Sequence, residues 1–250
     1  MFFQNRLEEL NILKKNYQGK GVLVTGGFLL IIITLITWII IFELGFIERE
    51  LFEIYLFLSF VIGATGLLDD LAGNRTARGL KGHFASLRKG ILTTGIIKLI
   101  VISISALLLA LKLNESLIEV IISTGIIVFM SNLVNLLDLR PGRSIKFFII
   151  ISIFIINRDN FLYYLPYFLA FLIYLPVEMK EEMMLGDCGA NLLGFILGFN
   201  IVLKTESVVY LLLLFILAFL LNILSEKYSF STIIKINPLL NWIDSLGRRV

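Results

Sequence analysis

Eight runs of apolar residues, separated by short polar segments, divide the chain: 22–42, 51–68, 91–111, 117–137, 147–156, 161–177, 188–203 and 208–224. A helix that crosses a bilayer needs about 20 largely apolar residues, with about 17 at the short end. Seven of the runs approach or reach that length. The fifth, 147–156, spans only if its neighbours extend it, and is otherwise a half-spanning segment. The pattern predicts an all-α integral membrane protein, a bundle of about eight transmembrane helices. Composition agrees: 58% of the residues are hydrophobic and 16% are charged, against about 25% charged in soluble domains.

Charge adds an orientation. Cations gather in alternate polar segments: Arg6, Lys14, Lys15 and Lys20; then Arg75, Arg78, Lys81, Arg88 and Lys89; then Arg140, Arg143 and Lys146; then Lys180; then Lys227, Lys235, Arg248 and Arg249. The intervening segments hold only Arg49, Lys112, Arg158 and Lys204. Positive charge is retained on the cytoplasmic side of a membrane, so with eight crossings both termini are expected in the cytoplasm. The chain reads as one polytopic membrane domain, 1–250, with a cytoplasmic N-terminal segment, 1–21, and a cytoplasmic interfacial tail, 225–250. The first twenty residues are charged and carry no short apolar core, so no cleaved signal peptide is expected. In the tail, Ile233, Ile236, Leu239, Trp242 and Leu246 alternate with Lys235, Asp244 and Arg248, which suggests an amphipathic helix at the membrane surface, broken at Pro238. The single cysteine, Cys188, excludes an intrachain disulfide, and the single histidine, His83, excludes a multi-histidine metal site.

The orientation brings chemistry to one side. Asp69 and Asp70 close the second run, Asn135 and Asp138 close the fourth, and Asp187 opens the seventh, all at expected cytoplasmic ends. A carboxylate at a helix C-terminus faces the negative pole of the helix dipole, which costs about 0.3–1 kcal/mol, and Asp69 and Asp70 also repel each other. Nothing local compensates, and local rules are broken most often at functional sites. Adjacent helical residues point about 100° apart, so the pair is expected to serve two roles. Asn132, Asn135 and Asp138 recur every three residues, a spacing that keeps neighbours on one helical face. Asp187 suits a helix N-cap, and its carboxylate, with the others and with the Asn135 amide, offers the hard oxygen ligands Mg²⁺ prefers. The segment 73–90 is rich in glycine and cations, suited to phosphate groups. Lys98, inside the third run, either snorkels to the surface or meets a lipid phosphate.

Four motifs occur in order: Tyr17-Gln18-Gly19-Lys20 ahead of Gly26-Gly27, Gly66-Leu67-Leu68-Asp69-Asp70, Asn135-Leu136-Leu137-Asp138, and Gly186-Asp187-Cys188-Gly189-Ala190-Asn191-Leu192-Leu193-Gly194. Together they resemble the polyprenyl-phosphate N-acetylhexosamine-1-phosphate transferases, the superfamily of the MraY, WecA and TagO enzymes. The resemblance implies a Mg²⁺-dependent membrane transferase, with Mn²⁺ as a substitute metal. It would move a sugar-1-phosphate from a UDP-sugar to polyprenyl phosphate and release UMP, in cell-envelope glycan synthesis. On that resemblance Asp187 and Asn135 are expected to ligate the metal. Asp69 and Asp70 would bind and activate the lipid phosphate or steady the metal, and Asp138 would contact the sugar nucleotide. Arg75, Arg78, Lys81, His83, Arg140 and Arg143 are the expected substrate-binding side chains. Two features depart from the family pattern: the Asn-x-x-Asp motif continues as Leu139-Arg140-Pro141-Gly142, with proline at an acidic position, and no histidine-rich loop follows. The expected partners are the membrane, the lipid phosphate and the sugar nucleotide, not nucleic acid; pairing with a second copy stays open. Two rival readings are an inactive family member serving as a membrane scaffold and a lipid or solute transporter. Transporter sites lie near the bilayer midplane, and these polar residues lie at one end.

Overall fold

The computed structural model describes residues 13–15, 18–73, 82, 86–158 and 160–247. Among them, a two-stranded antiparallel hairpin, β1 (Leu13–Lys15) and β2 (Gly21–Leu23), leads into a helical bundle. The helices are α1 (Gly26–Glu43), α2 (Arg49–Ala72), α3 (Thr94–Leu113), α4 (Leu117–Leu137), α5 (Arg143–Ile155), α6 (Phe161–Met179), α7 (Gly186–Lys204), α8 (Val208–Lys227), α9 (Phe230–Ile236) and α10 (Pro238–Ser245). Seven of these, α1 to α4 and α6 to α8, are long and apolar enough to cross a membrane.

The apolar run expected as the eighth crossing, 147–156, belongs to the 13-residue α5. At 1.5 Å per residue it is about 20 Å long, short of the roughly 30 Å hydrocarbon core. Its first turn lies beside Asp138, through the Ser144 hydroxyl, and its last carbonyl, of Ile155, accepts from Lys204 at the far end of α7. The short helix therefore joins the two ends of the bundle. The first span also starts later than its hydropathy suggests. Val22 and Val24 are buried, but Gly21–Leu23 pairs as a strand, and the Leu23 carbonyl accepts from Met184 N–H at 2.7 Å. Gly26 and Gly27 then donate to the carbonyls of Met184 and Leu185 at 3.0 and 2.9 Å. The segments that enter α1 and α7 are thereby stitched together.

Helix α7 is the axis of the bundle: every residue from Cys188 to Val202 is buried. Lipid tails are as apolar as leucine, so helices associate in a membrane through close packing, and small residues permit it. A Cβ on Gly27 would stand 2.2 Å from the Gly189 nitrogen, one on Gly66 2.6 Å from the Asp187 carbonyl, and one on Gly194 2.4 Å from the Met130 carbonyl. Helices α1, α2 and α4 thus each meet α7 backbone to backbone. Further along α7, Asn200 is satisfied inside the apolar core, accepting from the Tyr55 hydroxyl at 2.7 Å, while Tyr55 stacks on Trp38 with ring centroids 4.4 Å apart.

The tail forms two helices, α9 and α10, separated at Asn237, with Pro238 in the first turn of α10 where its missing N–H is harmless. It is tied to the bundle as well as amphipathic. The Arg143 guanidinium, 6% exposed, meets Asp244, 7% exposed, at 2.8 and 3.0 Å and donates to the Ser231 hydroxyl at 2.9 Å. Lys146 donates to the last-turn carbonyls of Ile243 and Asp244. Removing one partner of a buried ion pair costs about 3–5 kcal/mol, whereas replacing both with apolar residues is often neutral. Asp244→Leu is therefore expected to release residues 229–247 to rapid hydrogen exchange and proteolysis. The double variant Arg143→Met, Asp244→Leu should restore much of the protection. Equal protection in the single variant and the unsubstituted protein would show that the pair does not anchor the tail.

Candidate functional site

The elements that alternate up and down the bundle bring the ends of α2, α4 and α6 and the starts of α1, α3, α5 and α7 to one end. Three of the four expected carboxylates sit on helix ends there, with Asp138 just past the end of α4. They divide into two sets.

Asp69 and Asp187 line a cavity of about 620 Å³ together with Lys98, Asn132, Asn135, Asn191 and Glu226. The Lys98 ammonium bridges the two carboxylates, 2.7 Å from Asp69 Oδ2 and 3.0 Å from Asp187 Oδ2. The other oxygen of Asp69 accepts from the Thr94 hydroxyl. Thr94 and Lys98 are four residues apart and so share one face of α3. That helix begins at Thr94, with the Thr93 hydroxyl accepting from Ile96 N–H, later than the apolar run at 91 suggests. Lys98 therefore lies in the first turns of α3, level with the ends of α2 and α7, and neither snorkels to the surface nor stands alone. Away from this polar end the cavity wall turns apolar along α3, through Ile96, Ile100 and Ile104.

Asp70 and Asp138 point elsewhere. Asp70 Oδ2 accepts from Cys188 N–H at 3.0 Å, and Asp138 Oδ2 accepts from Gly186 N–H at 3.0 Å. Both serve the N-terminus of α7, whose own N-cap residue is Leu185 with no side-chain acceptor. Asp187, expected as that cap, is instead in the first turn, with its carboxylate on Lys98. The cap is supplied by two other parts of the chain. This is the non-local reward for acids at the ends of α2 and α4: each is at the negative pole of its own helix and at the positive pole of α7. The divergence of Asp69 from Asp70 follows their 100° separation. Burial, then the charges of Asp187 and Asp70, push the Asp138 carboxyl up to about 7, against the pull of the Gly186 N–H and the Ser144 hydroxyl.

Both Asn132 and Asn135 line the cavity, and the Asn132 amide also donates to Asn222 Oδ1 at 2.6 Å and ties α4 to α8. Three-residue steps drift by about 60° each around a helix, so Asn132 and Asp138 end on different sides of α4. No protein-family model and no curated protein matches this chain. The assignment of chemistry rests on this geometry and on the motifs.

The remaining expected site residues separate similarly. Arg143 is buried against Asp244 and Ser231 and ties the tail to the bundle; it does not line the cavity. Arg140 lines a separate small recess with Asp138, Pro141 and Glu178. Arg75, Arg78, Lys81 and His83, and Tyr17 of the first motif, lie outside the described residues. The sequence reading did not single out Thr94, Asn191 or Glu226. The available signal was Lys98 itself, a lone cation within an apolar run, with a hydroxyl four residues before it.

Among the described residues no three His, Cys, Asp or Glu side chains form a metal cage. The cavity wall carries the carboxylates of Asp69, Asp187 and Glu226, and the set proposed for a cation is Asp69, Asp187 and the Asn135 amide. Mg²⁺ typically takes one or two carboxylates and completes its shell with water and ligand phosphate, and this donor set fits that habit. The bridging ammonium shows that the two carboxylates already share one positive charge.

Proposed function

We propose that the protein is a Mg²⁺-dependent membrane transferase of the polyprenyl-phosphate N-acetylhexosamine-1-phosphate type, working at the cytoplasmic side of the plasma membrane. The observation that carries this reading is the single cavity in which Asp69, Lys98, Asp187 and Asn135 meet at one end and an isoleucine lane along α3 runs from it. Such a cavity suits an amphiphile with an anionic head and an apolar tail. The four motifs and the bias of cations toward one set of loops support the same reading.

In this reading a phosphate oxygen of the lipid attacks the β-phosphorus of the UDP-sugar. The new P–O bond forms as the bond from β-phosphorus to the bridging oxygen breaks, and UMP leaves. Asp69, Asp187 and the Asn135 amide oxygen would hold a divalent cation, which would neutralise charge on the diphosphate. The chain's residues do the positioning. Isoleucines of α3 hold the tail, Lys98 presents an ammonium to anionic oxygen, and Asp70 and Asp138 fix the α7 backbone that aims Asp187. A phosphate monoester has a second pKa near 6, so the nucleophile is already ionised at neutral pH and needs no strong base. Phosphoryl transfer depends mainly on such positioning and neutralisation.

A second reading, an inactive scaffold, draws on the commitment of Asp138 to the α7 N-terminus and on Pro141 at the family's acidic position. Purified protein, polyprenyl phosphate, Mg²⁺ and a panel of UDP-sugars, monitored for UMP, separate the two. Release with at least one donor supports the transferase, and silence across the panel supports the scaffold.

A further inference from the structure

We propose that Lys98 is a built-in occupant of the cation site: its ammonium holds the place between Asp69 and Asp187 and must leave it when a divalent cation binds. The inference rests on the metal reading given above and extends it to how the site is kept when empty and how it is filled.

The geometry is specific. One ammonium contacts Oδ2 of both carboxylates, at 2.7 and 3.0 Å, and the Lys98 side chain is only 13% exposed. The carboxylates come from α2 and α7, and the lysine from α3. Without it, two acids from separate helices would face each other in a low-dielectric recess, which is unfavourable unless a cation intervenes. With it, the pair has a net charge of −1 and both acids are held in place. A lysine differs from an arginine here: its charge is a point on a flexible four-carbon stem, with no fork fixed by geometry. A divalent ion at the same oxygens and the ammonium cannot share the space, and like charges so close repel strongly. The cavity of about 620 Å³ alongside gives the released ammonium somewhere to go. There it faces the space an anionic head would occupy.

Two consequences follow. Bare cation binds weakly, because it competes with a resident charge. Cation and phosphate ligand favour each other, because the ammonium displaced by one is taken up by the other; such coupling is reciprocal between the two ligands. Lys98 is thus a positioning residue toward the metal and a contact toward the anion.

The test uses the full chain in detergent and Mn²⁺ alone as probe, with free Mn²⁺ read by electron paramagnetic resonance. Lys98→Met is expected to bind Mn²⁺ at least about tenfold more tightly than the unsubstituted protein. Lys98→Arg, which retains the charge, is expected to stay within about threefold of it. A second measurement does not depend on how the Lys98 variants fold: labelling of the Lys98 amine in the unsubstituted protein by a water-soluble acylating reagent, followed by mass spectrometry. Saturating Mn²⁺ should accelerate that labelling, and Asp187→Asn should abolish the Mn²⁺ effect. Unchanged or weaker Mn²⁺ binding by a folded Lys98→Met, no Mn²⁺ binding by any form, or labelling that Mn²⁺ slows or leaves unaltered would each overturn the proposal. UMP release plays no part in these readouts, so a protein that binds Mn²⁺ as expected but turns over no donor would remove the transferase reading and leave this inference standing.

Discussion

Asp187→Asn is expected to lower turnover by about 10²–10³-fold while leaving the fold nearly unchanged. The magnitude is that of removing one group aimed at the charge of the reaction. The stability argument comes from the structure. Asparagine keeps the size of the side chain, the α7 cap is supplied by Asp70 and Asp138, and Asn191 bonds to the backbone oxygen of residue 187 at 2.7 Å, not to its carboxylate. Lys98 retains Asp69 as a partner. Because the Lys98 charge keeps a partner, the expected loss of stability is well below the roughly 3–5 kcal/mol of a buried charge left alone, read as a small change in Tm beside a large change in kcat. Near-normal turnover would reduce Asp187 to a counter-ion of Lys98 and move the chemistry elsewhere.

Asp70 should behave in the opposite way. It is 5% exposed, and its Oδ2 accepts from Cys188 N–H while standing where a Cβ on Gly186 would fall within 2.7 Å. Alanine at this position leaves a buried N–H at the start of α7 without its charged acceptor, a loss of about 1.5–3 kcal/mol, at the end of the helix around which the bundle is built. Asp70→Ala should therefore lower Tm by several degrees and reduce the yield of folded protein. Asp70→Asn retains an oxygen acceptor and should recover more than half of that loss. Thermal unfolding of the two variants in the same detergent decides it. Equal stability of Asp70→Ala and the unsubstituted protein would show that the α7 terminus is satisfied without this acid.

The contrast between adjacent aspartates marks what was legible in the sequence. Apolar run length alone located seven long helices, and the bounds of α4 match the run 117–137. The helical tail and its break near Pro238 were also legible. The gathering of acids at helix ends was legible too, because carboxylates at C-termini have no local justification. What such a rule cannot say is which distant group provides the justification. For Asp69 it is Lys98, and for Asp70 and Asp138 it is the backbone of α7. Hydropathy likewise could not tell the buried strand at Val22 from the start of a span, since both are apolar and only the pairing with Leu13–Lys15 separates them. Arg143 illustrates the same limit. As a cation in a basic loop it looks like a phosphate ligand, and only its partner Asp244, about a hundred residues later, reveals it as the anchor of the tail.

An enzyme of the proposed type moves a sugar together with a phosphate, so the β-phosphorus of the donor must end in the lipid. The donor carries ³²P at the β-phosphate of the UDP-sugar that releases UMP in the panel, or, if none does, of each panel member in turn. It is incubated with the purified protein, polyprenyl phosphate and Mg²⁺, and the lipid and aqueous phases are separated. The account predicts label in the lipid phase and unlabelled UMP in the aqueous phase, with both abolished by EDTA. Label that stays in water as UDP would mean transfer of the sugar alone, and label that remains in intact donor would mean no transfer; either result contradicts the account.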